Sequence, residues 1–272
     1  MEEFKGKTIY NPSGKAGEYS YWACNFYVGC SVGCEYCYLR KGRGAKILGG
    51  DTPKLKSCFK SEAHALEVFV KEAKQNITEL QRHGLFFSFT TDPMLKETLG
   101  LTNGATGFCT HNQIPVKILT KCTEWVDEFL SDGNIASSYL RKYYAFGFTL
   151  TGHDELEPNA STNAERINAM KKLYDAGFKT FASIEPIVDI ESSAKMIKET
   201  YGYCDLYKIG LMSGQKYAWQ NLRSLMLMCY RHIEAKFYFK DSFLKQAGIE
   251  RSNLPNNCVN RDYNLFIKEV QP

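Results

Sequence analysis

Apolar residues in this 272-residue chain fall into two alternating kinds of run. From Ser61 to Arg82, the residues Ala65, Leu66, Phe69, Ala73, Ile77 and Leu80 recur at the spacing of one helix face. Ser61 stands as the N-cap of that helix and Gly84 just past its end. Leu85 to Thr90 is short and nearly all apolar, the length of a strand. The alternation continues with strand Val116 to Leu119, helix Glu124 to Leu130, a second short helix to Tyr143 and strand Ala145 to Leu150. Thr162-Asn-Ala-Glu165 has the order of a capping box and opens a helix that carries Ile167, Met170, Leu173 and Tyr174 and stops at Gly177. Strand Lys179 to Ile184, helix Ser192 to Tyr201 and strand Leu206 to Ile209 follow. A long helix, Tyr217 to Ala235, then leads to strand Phe237 to Lys240 and a tail without strong pattern.

Strands that are apolar on both faces are covered on both faces, and repeated βα units build a parallel sheet with right-handed crossovers. About six units fit before residue 215, too few to close an eight-stranded barrel. The predicted fold is therefore α/β: an open, partial (β/α)6-type barrel over residues 1–215, with a helix-strand extension packed on it over 216–272. Ligands of such folds bind at the carboxyl ends of the strands.

Hydrophobic residues at 44% and charged residues at 24% describe a globular chain. No apolar run of membrane-spanning length occurs, and the Met-Glu-Glu-Phe-Lys start lacks the order of a secretory signal, so a cytoplasmic protein without membrane partners is expected. A net charge of +4 is too mild to announce a nucleic-acid binder by itself. The ten cysteines change the picture more: in a reducing compartment they serve as metal ligands, catalysts or small core residues.

An aromatic-rich first strand, Tyr19 to Tyr27, runs into a loop over 28–40 containing Gly29-Cys30-Ser-Val-Gly33-Cys34-Glu-Tyr36-Cys37-Tyr38. One such loop can wrap one metal centre. Iron–sulfur clusters take one thiolate per iron, so three leave one iron of a cubane open. A zinc site is the alternative, with Cys24 as a fourth thiolate. After the cysteines, residues 39–60 carry Arg40, Lys41, Arg43 and Lys46 among Gly42, Gly44, Gly49 and Gly50, which reads as a mobile basic loop, either a cover for the site or a solvated linker.

The spacing Cys-x3-Cys-x-aromatic-Cys is similar to the signature of the radical S-adenosylmethionine superfamily. The resemblance implies a four-iron four-sulfur cluster on Cys30, Cys34 and Cys37, with Tyr36 beside S-adenosylmethionine on the open iron. It also implies an external one-electron reductant of flavodoxin or ferredoxin type. Phe87-Ser-Phe-Thr90-Thr91-Asp92-Pro93 resembles the polar strand end that binds the methionine amino group in relatives of spore photoproduct lyase, which points to Thr90, Thr91 and Asp92. By the same resemblance Thr149, Thr151, Ser183 and Glu185 meet the ribose and carboxylate. With Tyr207-Lys208-Ile-Gly210 and Phe239-Lys240, the run from residue 10 to 250 resembles a phage-associated family of uncharacterised radical enzymes related to that lyase.

The resemblance leaves the substrate open, as a small molecule, a nucleotide or a nucleic-acid base. No motif matches Cys58, Cys109, Cys122, Cys204, Cys229 or Cys258 to the return of a hydrogen atom, and each reads first as a core residue; Cys122, next to Lys121 after the third strand, is the best placed of the six for that role. Lys208, Lys240 and Asp241 face either the barrel mouth or solvent, and the five histidines lack metal-ligand spacing. Two other classes remain: a zinc-stabilised nucleic-acid-binding module, with Arg40, Lys41, Arg43 and Lys46 on phosphate, and an iron–sulfur electron carrier.

Overall fold

The computed structural model describes residues 3–41, 44–132, 138–232 and 234–266. Arg43 and Gly42 of the basic segment lie outside the described residues. The strands are β1 (Ile9–Tyr10), β2 (Ala23–Cys24), β3 (Tyr27–Val28), β4 (Lys54–Leu55), β5 (Leu85–Phe87), β6 (Val116–Thr120), β7 (Tyr144–Thr149), β8 (Lys179–Ile187), β9 (Leu206–Leu211) and β10 (Lys236–Phe239). Eight of them form one sheet in the order β1-β2-β5-β6-β7-β8-β9-β10. Every pairing from β2 to β10 is parallel, and β1 alone runs antiparallel, against β2. The sheet ends at β1 and β10, so the α/β architecture is an open partial barrel, as the pattern predicts. Six parallel strands precede residue 215. The seventh, β10, lies beyond it and pairs in register with β9, so the last segment continues the sheet.

Strand alternation divides the interior into two cores. Leu85, Phe87, Phe146, Phe148, Ala182, Tyr207 and Phe237 face outward, into the large core under the helices. Their neighbours Phe86, Ala145, Phe181, Leu206 and Tyr238 face inward, where Val259 and Leu265 of the tail complete a small core inside the barrel. The patternless tail thus plugs the barrel floor. Gly147 makes room there: a Cβ on it would lie 2.2 Å from the Phe181 ring.

The observed elements differ from the predicted ones where side chains take over backbone hydrogen bonds. The aromatic run from Tyr19 contributes only β2 to the main sheet, because Asn25 leaves it. The Asn25 side-chain oxygen accepts from the Phe89 N–H at 2.8 Å and the Ser88 hydroxyl at 2.9 Å, which also ends β5 at Phe87. The helix after Ser61 breaks at Asn76 into Glu62–Gln75 and Ile77–His83. Asp189 caps the helix Ile190–Thr200 through the Ser192 N–H, which moves its start two residues earlier. The capping box is formed as read, with Thr162 Oγ1 accepting from Glu165 N and the Glu165 carboxylate from Thr162 N. A sixteen-residue helix, Lys96–His111, has no counterpart in the sequence reading. The described part of the basic segment is folded: a short helix, Ala45–Leu48, is followed by β4, which pairs with β3.

Candidate active site at the carboxyl ends of the strands

The inward row continues past the small core to the strand ends, and there it turns polar. Ser88, Lys121, Thr149, Ser183, Glu185 and Lys240 line a cavity of about 580 Å3 with Tyr19 at its floor. Parity fixes this placement. Phe181, Ser183 and Glu185 are two apart on β8 and share the inner face; Tyr238 and Lys240 do the same at β10.

Cys30, Cys34 and Cys37 form one wall of the cavity, with Tyr36 among them. Two left-handed glycines, Gly29 and Gly33 with φ of 78° each, let the loop reverse. A Cβ on Gly29 would sit 2.4 Å from the Thr52 carbonyl oxygen, so any larger residue displaces the ribbon strand behind it. Hydrogen bonds hold the loop on both sides: Cys30 N–H donates to Gly50 O at 3.1 Å, and Glu35 N–H to Leu156 O at 3.0 Å. Beneath it the Tyr36 hydroxyl donates to the Glu157 carboxylate. Arg166 pairs with the same carboxylate, and both side chains are fully buried. Arg166 also donates to Thr149 O at 2.6 Å and Ser161 O at 2.7 Å, so it ties the cysteine loop to the end of β7.

The strand-end residues divide into those facing the cavity and those turned away. Thr91, Asp92, Thr149, Ser183 and Glu185 line it. Thr91 carries a buried hydroxyl that has no hydrogen-bond partner within the protein. The Asp92 carboxylate is taken up by the protein itself, accepting from Thr120 Oγ1 at 2.6 Å, Lys121 N at 2.7 Å and Met94 N at 3.0 Å. Burial raises the Asp92 pKa against these three bonds. Glu185 is paired as well: it accepts from the Tyr19 hydroxyl at 2.7 Å and meets the Lys240 ammonium at 2.6 Å. Gly210 allows that pair, since a Cβ there would approach the Glu185 carboxyl carbon to 2.6 Å.

Three expected site residues are not on the cavity wall. Thr90 turns its hydroxyl to Tyr27 O at 2.5 Å. Thr151 accepts from the His153 N–H within its own turn. Cys122, the expected hydrogen donor, is buried in the outer core, where the Trp125 indole donates to its carbonyl at 2.9 Å. Three residues that the sequence reading missed matter more: Tyr19, Arg166 and Glu157. Strand parity offered no signal for them, because Tyr19 lies outside any strand and the pair lies beneath the loop. Lys240, left open between mouth and solvent, is in the cavity. Lys208 is buried below it, donating to Glu18 O and Tyr19 O at 2.9 Å.

Three thiols on one loop are a donor set that fits an iron–sulfur cluster, which takes one thiolate per iron. The orphaned Thr91 hydroxyl belongs to the wall of the same cavity. Burial, then the Asp92 charge, pushes the Cys30 thiol up to about 11, opposed by the Val32 and Asp92 N–H groups directed at its sulfur. Cys34 is also raised by burial, with the Lys121 ammonium acting the other way. Cys24, the fourth thiolate of the zinc alternative, lies on β2 in the outer core, near Cys109 and away from the cavity.

No protein-family model matches the chain. A mutant of spore photoproduct lyase with bound AdoMet and dinucleoside spore photoproduct superposes with a TM-score of 0.57 at 16% identity, over 80% of this chain and 62% of that one. Over that stretch the two share a fold. A second mutant of the lyase superposes with a TM-score of 0.51 at 14% identity, over 93% of this chain and 65% of the other. The chain therefore spans somewhat under two thirds of the length of the lyase chains it matches. By sequence it is similar to an uncharacterised protein of Methanocaldococcus jannaschii, 24% identical over 220 residues, covering 75% of this chain and 74% of the relative. No helix among the described residues is long and apolar enough to cross a membrane.

Proposed function

We propose that this chain is a radical S-adenosylmethionine enzyme that holds a four-iron four-sulfur cluster on Cys30, Cys34 and Cys37 and acts on a substrate bound in the same cavity. The observation that carries the reading is the single cavity at the strand ends, walled on one side by the three thiols and on the other by inward polar residues. A reduced cluster there would give one electron to S-adenosylmethionine, splitting it into methionine and a 5′-deoxyadenosyl radical able to take hydrogen from the substrate.

The chain's own residues bind, orient and exclude water. Thr91 offers the open hydroxyl to the methionine end of the cofactor, and Asp92 fixes the segment that carries it by tying it to Thr120 and Lys121. Thr149 and Ser183 offer hydroxyls to the ribose. Lys240, paired with Glu185 and with its ammonium 4.3 Å from the Tyr19 ring centre, presents a buried cation to an anionic or carbonyl group of the substrate. Phe89 and Leu119 give the same cavity apolar surface, which suits a flat, partly apolar substrate such as a nucleotide base.

Anaerobic reconstitution with iron and sulfide, followed by reduction with S-adenosylmethionine and chromatography for 5′-deoxyadenosine, tests the reading. Formation of that product by the wild type, and its loss together with cluster iron in Cys34→Ala, is the expected result. Zinc binding in place of iron, with no cleavage under reducing conditions, would overturn it.

A further inference from the structure

Two lysines inside the barrel play no part in the site described above. Val116 and Ile118 point outward, which sets Lys117 on the inner face of β6; Tyr207 and Ile209 do the same for Lys208 on β9. Both lysines line a void of about 10 Å3, and Tyr19 is a wall that this void shares with the active cavity. Lys208 is buried and Lys117 half-buried.

Neither ammonium is bonded to an opposite charge. Lys117 donates to Ser20 Oγ at 2.9 Å and to His83 O at 3.0 Å, and Lys208 to Glu18 O and Tyr19 O at 2.9 Å. All four acceptors are neutral oxygens, and an ammonium has three N–H donors, so among the described residues each lysine has one left over. Burial pushes the Lys117 pKa down to about 8, with no carboxylate acting against it. Burial also lowers Lys208 well below the ordinary lysine value; the charges of Lys117 and Lys240 lower it further, and Glu18 and Glu185 oppose them only in part. The barrel floor thus holds mutually repelling cations, an arrangement that costs free energy unless a counter-charge joins it.

The void selects the kind of counter-charge. Its volume is about that of one water-sized sphere, too small for phosphate, sulfate or a carboxylate, each of several heavy atoms. Phe181, Leu206 and Leu265 give it apolar walls. A water there would accept from both ammonium groups, yet its own two O–H groups need acceptors. An ammonium has no lone pair to offer, and the Tyr19 hydroxyl donates into the cavity, to Glu185. A monatomic anion needs only donors.

We propose that the barrel floor binds one halide ion, of the chloride class, between Lys117 and Lys208. The ion balances the charge beneath Tyr19 and ties β6 to β9 across the barrel. The site depends neither on a cluster nor on the function proposed above.

Two measurements on the full chain test it. Crystals grown in bromide are expected to show one anomalous peak at the bromine edge in contact with both ammonium groups. Bromide at the surface alone, an adventitious ion only, overturns the proposal. In solution, thermal unfolding is followed at constant ionic strength in sodium chloride, bromide and gluconate. The wild-type midpoint should lie about 2–4 °C higher in either halide than in gluconate once the halide exceeds its dissociation constant several-fold, and the gap should grow with halide concentration. Lys117→Met and Lys208→Met should each abolish that gap, while Lys54→Met, at an exposed position outside the barrel, keeps it. Equal wild-type midpoints in all three salts overturn the proposal and leave the two lysines as neutral amines. A gap that persists in both interior variants also overturns it and assigns the salt effect to the surface. Should an interior variant not fold, the bromide peak in the wild type decides.

Discussion

Replacing Arg166 with Met removes the only cation paired with Glu157 among the described residues, while both side chains are fully buried. Breaking a buried pair on one side leaves an uncompensated charge and costs about 3–5 kcal/mol. The Thr149 and Ser161 carbonyls lose donors as well, so the upper part of that range is expected. With a urea slope of about 3 kcal/mol per molar for a chain of this size, the unfolding midpoint should fall by about 1.3–1.7 M at unchanged slope. The double variant Arg166→Met, Glu157→Leu removes both charges and should recover much of the loss, since matched apolar replacement of a buried pair is near neutral. Urea titration of the three proteins, followed by circular dichroism, reads the coupling directly. A midpoint within about 0.2 M of wild type for the single variant, or no recovery in the double, would refute the argument that Arg166 is the charge partner holding the cysteine loop.

Thr91→Val replaces a buried, unpartnered hydroxyl with a methyl group. Stability should hold or rise by up to about 1–2 kcal/mol, while S-adenosylmethionine affinity measured by calorimetry falls; unchanged affinity would remove Thr91 from the binding site. Gly147→Ala drives a Cβ into the Phe181 ring and should cost about 1–3 kcal/mol in thermal or urea unfolding, partly restored by Phe181→Leu; a neutral single variant would show that the ring can move aside. His153 bridges Glu155 at 2.6 Å and Asp189 at 2.5 Å, and these bonds outweigh the lowering effect of burial, so its pKa is raised. Its stabilising contribution is complete below the unfolded value of about 6.5 and is lost as pH rises through the folded one. The stability gap between wild type and His153→Ala should thus narrow as pH rises above about 6.5; a gap that widens with pH would reverse the assignment.

The chain order of helix and strand, the parallel sheet and the cysteine loop were all legible, because each depends on residues close in sequence. Helical periodicity located the helix after Ser61, and the Thr162–Glu165 box marked another to the residue. The helix Lys96–His111 was not legible. It contains Gly100, Gly104 and Gly107, each costing about 1 kcal/mol against Ala in a helix, and four threonines. Tertiary packing overrides that cost: Leu101, Ala105 and Cys109 are buried against the sheet, and Gly104 is what lets Leu66 come close.

By itself the sequence singled out the candidate residues: three closely spaced thiols and a set of polar strand ends. The tertiary structure alone decided which of those ends face one another. Side chains alternate along a strand, so Ser183, Glu185 and Lys240 turn inward as a consequence of register. Cys122 follows inward-facing Lys121 and so turns outward by the same alternation, whereas Thr90 and Thr151 lie two or three residues past their strands, where local hydrogen bonds take up their hydroxyls. The Glu185–Lys240 and Glu157–Arg166 pairs join segments 55 and 9 residues apart in sequence, and no local pattern encodes a partner across a barrel. A buried charge must find an opposite charge wherever the fold brings one, and only the fold decides which one that is.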